Sequence, residues 1–107
     1  MPPSRPKRIE PLTAGEVADL RTEEGVVLVD VREPHEFAGG HIEGAVHMPL
    51  SRFNVAALPP GRLLFYCAIG QRSRIAADSA LKAGREVAGH LEGGLAQWVG
   101  TGRKLVR

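Results

Sequence analysis

The chain of 107 residues holds a single cysteine, and no apolar run in it approaches the ~18–20 residues that a membrane span requires. One cysteine excludes an internal disulfide, a CxxC redox pair and a zinc site built from four thiolates, so a reducing compartment fits. The basic N-terminus is not followed by the apolar stretch of a secretory signal, and the expected location is the cytoplasm, with no membrane partner. Neither a GxxxxGK[ST] phosphate loop nor a GxGxxG dinucleotide motif occurs, which leaves nucleotide cofactors without support. Internal repeats and low-complexity segments are absent as well. What remains is composition close to the globular average, 43% hydrophobic and 24% charged, in a length suited to one domain with one modest core.

The basic pI of about 9.1 raises the question of nucleic acid. Arg5, Lys7, Arg8, Arg103, Lys104 and Arg107 all lie near the two ends, and residues 9–102 carry 8 basic against 12 acidic side chains. A body with that balance repels a phosphate backbone, so no nucleic-acid partner is expected. The basic ends read as frayed, solvated arms.

Four of the eight prolines fall in the first eleven residues, which predicts an extended arm over 1–11, with Ile9 a candidate for a short edge strand. Thr13 followed by Glu16 has the spacing of a capping box, with Leu12 and Val17 placed as its hydrophobic staple. A helix over about 14–24 should follow, capped by Gly25. "VVLVD" at 26–30 and "LLFYC" at 63–67 are apolar without alternation, the pattern of strands covered on both faces. Weaker strands are predicted near 45–48 and 86–89. Helical segments are predicted near 34–38, 51–57, 72–83 and 94–100. The alternation of strand and helix points to an α/β sandwich with a mostly parallel sheet. Residues 12–101 form the expected domain, followed by a basic tail over 102–107.

Sites in such sheets form where strands end and helices begin. Cys67 ends an apolar run, and Ala68, Ile69, Gly70 and Gln71 separate it from Arg72 and Ser73. Backbone N–H groups of so short a turn converge into an anion nest, with Gly70 free to take a positive φ. The helix dipole and Arg72 add positive potential, conditions that lower a thiol's pKa from ~8.5 into the range ~3.5–7.5. Such a turn suits a charged sulfur species. The competing reading is a buried thiol that only fills space.

"LVDVREPHEFAGGHIEGAVHMPL" at 28–50, "LLFYCAIGQRS" at 63–73 and "LEGGLAQW" at 91–98 together resemble the single-domain rhodanese family of sulfurtransferases, in the family's order. The resemblance implies a rhodanese-like three-layer sandwich, with a five-stranded sheet flanked by helices on both faces. It implies that Cys67 accepts a sulfane sulfur from thiosulfate or a persulfide donor and passes it to a thiophilic acceptor such as cyanide, a thiol or a protein. Ala68 to Ser73 would form the substrate- and persulfide-binding loop, with Arg72 steering an anionic donor. No cofactor is implied beyond the covalent persulfide on Cys67. Asp30 and Arg32 match bracing positions and His41 a position before the next strand, though capping and an internal ion pair explain these three without catalysis. Trp98 and Gly93-Gly94 read as core and turn.

Ala68 and Ile69 stand where many relatives carry polar or basic side chains, which weakens thiosulfate as the donor and favours a less charged persulfide or a protein donor. With no second cysteine to resolve a persulfide, delivery is to an outside nucleophile, including a protein partner in a sulfur relay. Two other readings remain: a sulfur-carrier or interaction module with little turnover of its own, and a cysteine-dependent phosphatase or arsenate reductase. The latter enzymes place five residues between cysteine and arginine, where this chain has four. His35, His41 and His47 recur every six residues, but the predicted elements scatter them and no metal site is expected. His90 has no evident partner.

Overall fold

The computed structural model describes residues 8–107, so most of the predicted N-terminal arm lies outside the described residues. Strands β1 (Pro11–Leu12), β2 (Val26–Asp30), β3 (Val46–His47), β4 (Arg62–Tyr66) and β5 (Val87–Leu91) form one parallel sheet in the order β1-β5-β4-β2-β3. Helices α1 (Ala14–Leu20), α2 (Pro34–Gly39), α3 (Gln71–Lys82) and α4 (Gly94–Gly100) alternate with the strands. None of them is long and apolar enough to cross a membrane.

The two apolar runs owe their lack of alternation to a core on each face of the sheet. Leu28, Leu64 and Tyr66 pack with Ala14 and Val17 of α1 and Leu95 and Trp98 of α4. Val29, Leu63, Phe65 and Cys67 project into the other core, against Ala76, Ala77 and Ala80 of α3. Small residues on α3 let that helix lie close to the central strands, which fixes its N-terminus beside Cys67.

The capping box forms as the spacing predicts: the Thr13 hydroxyl accepts from Glu16 N at 3.2 Å and the Glu16 carboxylate accepts from Thr13 N at 3.0 Å. Leu12 and Val17 share one core cluster. The helix ends earlier than 24, at Leu20 with Arg21 as its cap, because the Thr22 hydroxyl donates to the Asp19 carbonyl and turns close the chain. Gly25, with φ +83°, lies beyond that end and leads into β2. The expected helix over 51–57 is instead two 3-10 turns, Leu50–Arg52 and Val55–Ala57, divided where Asn54 takes extended backbone and its side chain accepts from Ala56 N.

Ile9 is not in the edge strand, which begins at Pro11, although it packs against the second core. The C-terminal tail is docked rather than frayed. Val106 and His41 exchange backbone hydrogen bonds at 2.8 Å each way, the Trp98 indole donates to Lys104 O, and Leu105 packs on the first core. Apolar Leu105, set among the basic residues, and the Val106 backbone supply the anchor that charge counting overlooks.

Candidate active site

Cys67 is the first residue after β4, at the edge of the sheet where all the parallel strands end. Its carbonyl accepts from Leu95 N at 2.8 Å and that of Ala68 from Ala96 N at 3.1 Å, so the first turn of α4 holds the outward carbonyls of the loop. The N–H groups turn the other way. Gly70 N donates to Cys67 Sγ at 3.1 Å. Gly70 takes φ +96°, and a Cβ there would collide with the Glu92 carbonyl oxygen, so glycine is required twice over.

Cys67 is only 1% exposed, as a space-filling thiol would be. Burial pushes the thiol up, but the Ser73 hydroxyl and the N–H groups of Ser73, Ile69 and Gly70 outweigh it and leave the pKa below its ordinary value. The sulfur also sits at the N-terminus of α3, a twelve-residue helix whose dipole favours negative charge there. The surroundings are those of an anionic sulfur.

Of the remaining loop residues, Gln71 is exposed and opens α3. Arg72 is engaged by a carboxylate: Nη1 donates to Glu36 Oε1 at 2.6 Å and Nη2 to Oε2 at 2.9 Å. Hydrogen bonding to Arg72 holds the Glu36 carboxyl down at about 2. Arg72 is raised in turn, first by that hydrogen bond, and the charge of Cys67 contributes. Sequence reading missed Glu36, whose visible signal was only its place three residues after Glu33, where it closes the capping box of α2.

The structure places Asp30, Arg32 and His41 in a network of their own. Arg32 Nη2 donates to Asp30 Oδ2 at 2.8 Å and to Gly40 O at 2.6 Å, and Arg32 N donates to Asp30 Oδ1 at 2.8 Å. Asp30 is fully buried and caps no helix. The Tyr66 hydroxyl, whose pKa burial and then Asp30 raise, accepts from Ile42 N at 3.0 Å, so the ends of β2 and β4 both tie down the segment after α2. His41 stacks on Phe37 with ring centroids 3.8 Å apart and binds the Phe37 carbonyl through Nδ1. His47, expected to be remote from it, stacks on the same Phe37 at 4.4 Å. These contacts brace α2, which carries Glu36, and none is a contact with Cys67.

His90, which lacked a partner in the sequence, has two. The buried Ser73 hydroxyl lies 2.9 Å from His90 Nδ1, 3.3 Å from Gly70 O and 3.5 Å from Cys67 Sγ. His90 Nε2 lies 3.1 Å from Glu92 Oε2. Only parallel pairing of β5 beside β4 brings His90 under the first turn of α3; no sequence motif marks it.

The surface beside the loop is apolar, formed by Ala68, Ile69, Leu95, Ala96 and Val99, with Ile69 61% and Val99 50% exposed. Among the described residues no cluster of His, Cys, Asp and Glu has the arrangement of a metal site.

A family model described as the rhodanese-like domain matches residues 13–101. An uncharacterized protein of Synechocystis is 44% identical over 91 residues, covering 82% of this chain and 51% of that protein. The chain thus spans about half the length of that relative. Thiosulfate sulfurtransferase GlpE of Stutzerimonas stutzeri is 37% identical over 95 residues, covering 86% of this chain and 84% of GlpE. The crystal structure of a rhodanese-related protein from Thermoplasma volcanium superposes with a TM-score of 0.80 at 26% identity, covering 91% of this chain and 97% of that one.

Proposed function

The chain belongs to the rhodanese-like domain family, and from that premise we propose that it is a sulfurtransferase in which Cys67 carries a sulfane sulfur as a persulfide. The observation that carries this reading is the Gly70 N–H donated to Cys67 Sγ at 3.1 Å, at the N-terminus of α3. A thiolate and a persulfide are both anions, and one cradle serves both ends of the cycle. The Cys67 thiolate attacks the outer sulfur of the donor; the sulfur–sulfur bond of thiosulfate breaks, sulfite leaves with the electron pair, and Cys67 persulfide remains. A thiophilic acceptor then attacks the outer sulfur and the thiolate is regenerated, giving ping-pong kinetics. The carried sulfur is the only group the cycle needs, without a separate cofactor.

Arg72 sets the positive field at the mouth of the loop, with its charge partly offset by Glu36. Donors of low charge therefore compete well with thiosulfate, and the apolar rim at Ile69 and Val99 fits the same preference. That rim supports a second reading, a carrier that unloads only to a partner protein. Four residues lie between Cys67 and Arg72, against five in a phosphatase loop, and the shorter loop leaves less room for a tetrahedral oxyanion.

Intact-mass spectrometry of the native chain and Cys67→Ser, after thiosulfate and then cyanide, tests the proposal. One sulfur gained by the native chain alone, and released as thiocyanate, is the expected result. Sulfur gained equally by Cys67→Ser overturns it. Loading from a thiol persulfide without release to cyanide favours the carrier.

A further inference from the structure

The sulfurtransfer reading leaves one buried titratable group without a task. His90 is 2% exposed and points one ring nitrogen at Ser73, which contacts the sulfur, and the other at Glu92. Burying an imidazole is costly unless both nitrogens are satisfied. Here both are, and the direction of each hydrogen bond follows from the proton inventory.

Glu92, 58% exposed at its side chain, is an acceptor and therefore selects the proton on His90 Nε2. In the neutral ring Nδ1 is then an acceptor as well. Ser73 has one proton and two acceptors in reach, Gly70 O at 3.3 Å and Nδ1 at 2.9 Å; with Nδ1 bare the shorter contact takes it, leaving Oγ to accept from the Cys67 thiol at 3.5 Å. All three bonds point the same way, from Cys67 through Ser73 and His90 to Glu92.

We infer that His90 is a positioning residue that receives the Cys67 proton through Ser73, with Glu92 holding the resulting imidazolium. The step balances. The thiol proton passes to Ser73 Oγ as the Ser73 proton passes to His90 Nδ1; no electrons change hands. Afterwards His90 donates from both nitrogens and the Ser73 proton faces the sulfur, so thiolate and imidazolium each stabilise the other.

The groups around His90 agree with a relay open to water at its far end. His90 borders a groove with Glu92 of its own strand, Arg74 of α3, and Arg8, Ile9, Glu10 and Pro11 of the N-terminal segment. Its neighbour on β4 is Phe65, which carries no charge. Burial, and then the Arg74 charge, pull the imidazole below its ordinary pKa, while Glu92 pulls it up. Glu92, on the groove side of the ring, holds the proton that arrives.

The inference refines the Cys67 chemistry proposed above, and its test uses no sulfur donor, so the two fail separately. The probe is iodoacetamide alkylation of Cys67 in the full chain between pH 5 and 10, with thermal melts as a folding control. For His90→Gln the alkylation midpoint is expected to move up by about one unit, a tenfold slower reaction on the low-pH side, with the plateau rate unchanged. Glu92→Gln moves it in the same direction by less. Ser73→Ala moves it at least as far as His90→Gln, and the double variant no further. A His90→Gln profile that superposes on the native one, or additive effects of the two changes, overturns the inference. Should His90→Gln fail to fold, histidine nitrogen NMR of the native chain before and after alkylation reads the same coupling in reverse. Loss of the thiolate should lower the His90 midpoint; an unmoved midpoint also overturns it.

Discussion

Glu36 in α2 and Arg72 in α3, 36 residues apart in the chain, meet as a two-pronged ion pair at 2.6 and 2.9 Å on the rim of the Cys67 loop. The pair joins two elements that share no sheet contact and sets how much of the Arg72 charge reaches the sulfur. It also has a pH signature. Hydrogen bonds from Arg72 hold the Glu36 carboxyl at about 2. A carboxyl depressed on folding stabilises above its unfolded value, ~4.3, and loses that contribution as pH falls through the folded value. Half-buried pairs of this kind contribute on the order of 1 kcal/mol or less. Glu36→Gln is therefore expected to be slightly less stable than the native chain at pH 6, with the difference gone near the folded pKa of about 2, as followed by urea unfolding. The same change leaves Cys67 facing the full Arg72 charge, and its alkylation midpoint should fall.

Arg72→Ala separates donors by charge. Loss of a charge-assisted contact costs ~1.5–3 kcal/mol, which corresponds to a KM for thiosulfate raised about tenfold or more. A neutral-tailed thiol persulfide should show a much smaller rise. Initial-rate kinetics with both donors check the difference.

Gly70→Ala places a Cβ against the Glu92 carbonyl oxygen at a φ of +96°. Either the loop moves or the Glu92–Gly94 turn does. The expected cost is about 2 kcal/mol or more in stability. Because Gly70 N also donates to the sulfur, alkylation of Cys67 at neutral pH should slow in whatever fraction remains folded.

Asp30→Asn leaves the buried Arg32 guanidinium without its counter-charge. Breaking one side of a buried pair costs ~3–5 kcal/mol. A fall in Tm on the order of 10 °C or more follows for a domain of this size. Arg32→Met with Asp30→Asn should recover part of it, since the double change removes the orphaned charge; differential scanning calorimetry of the three chains checks the order.

Ending the chain after Gly102 removes Leu105 from the first core and Val106 from its pairing with His41. A loss of about 1–3 kcal/mol is expected from the buried leucine surface and two backbone hydrogen bonds. A thermal melt unchanged by the truncation would show the docked tail to be without energetic weight.

The alternation of elements, the capping box of α1 and the two strands buried on both faces were legible in the sequence because each depends on residues within one helical turn or one strand. The Cys67 loop was legible for the same reason: its cysteine, its glycine and its arginine lie within six consecutive residues, where backbone geometry alone brings them together. The short elements were not. Asn54 divides one expected helix into two turns, and Thr22 ends another early, through single side-chain hydrogen bonds that compete with a regular backbone.

The sequence by itself determined the strand-loop-helix unit around Cys67, since turn geometry and helix start are local. Which groups surround that unit was decided only by tertiary structure. Parallel pairing of β5 beside β4 puts His90 beneath Ser73; bracing of α2 puts Glu36 on Arg72; docking of the tail packs Leu105 against the first core. Each of these depends on contacts between segments distant in the chain, and no local propensity encodes a distance between them.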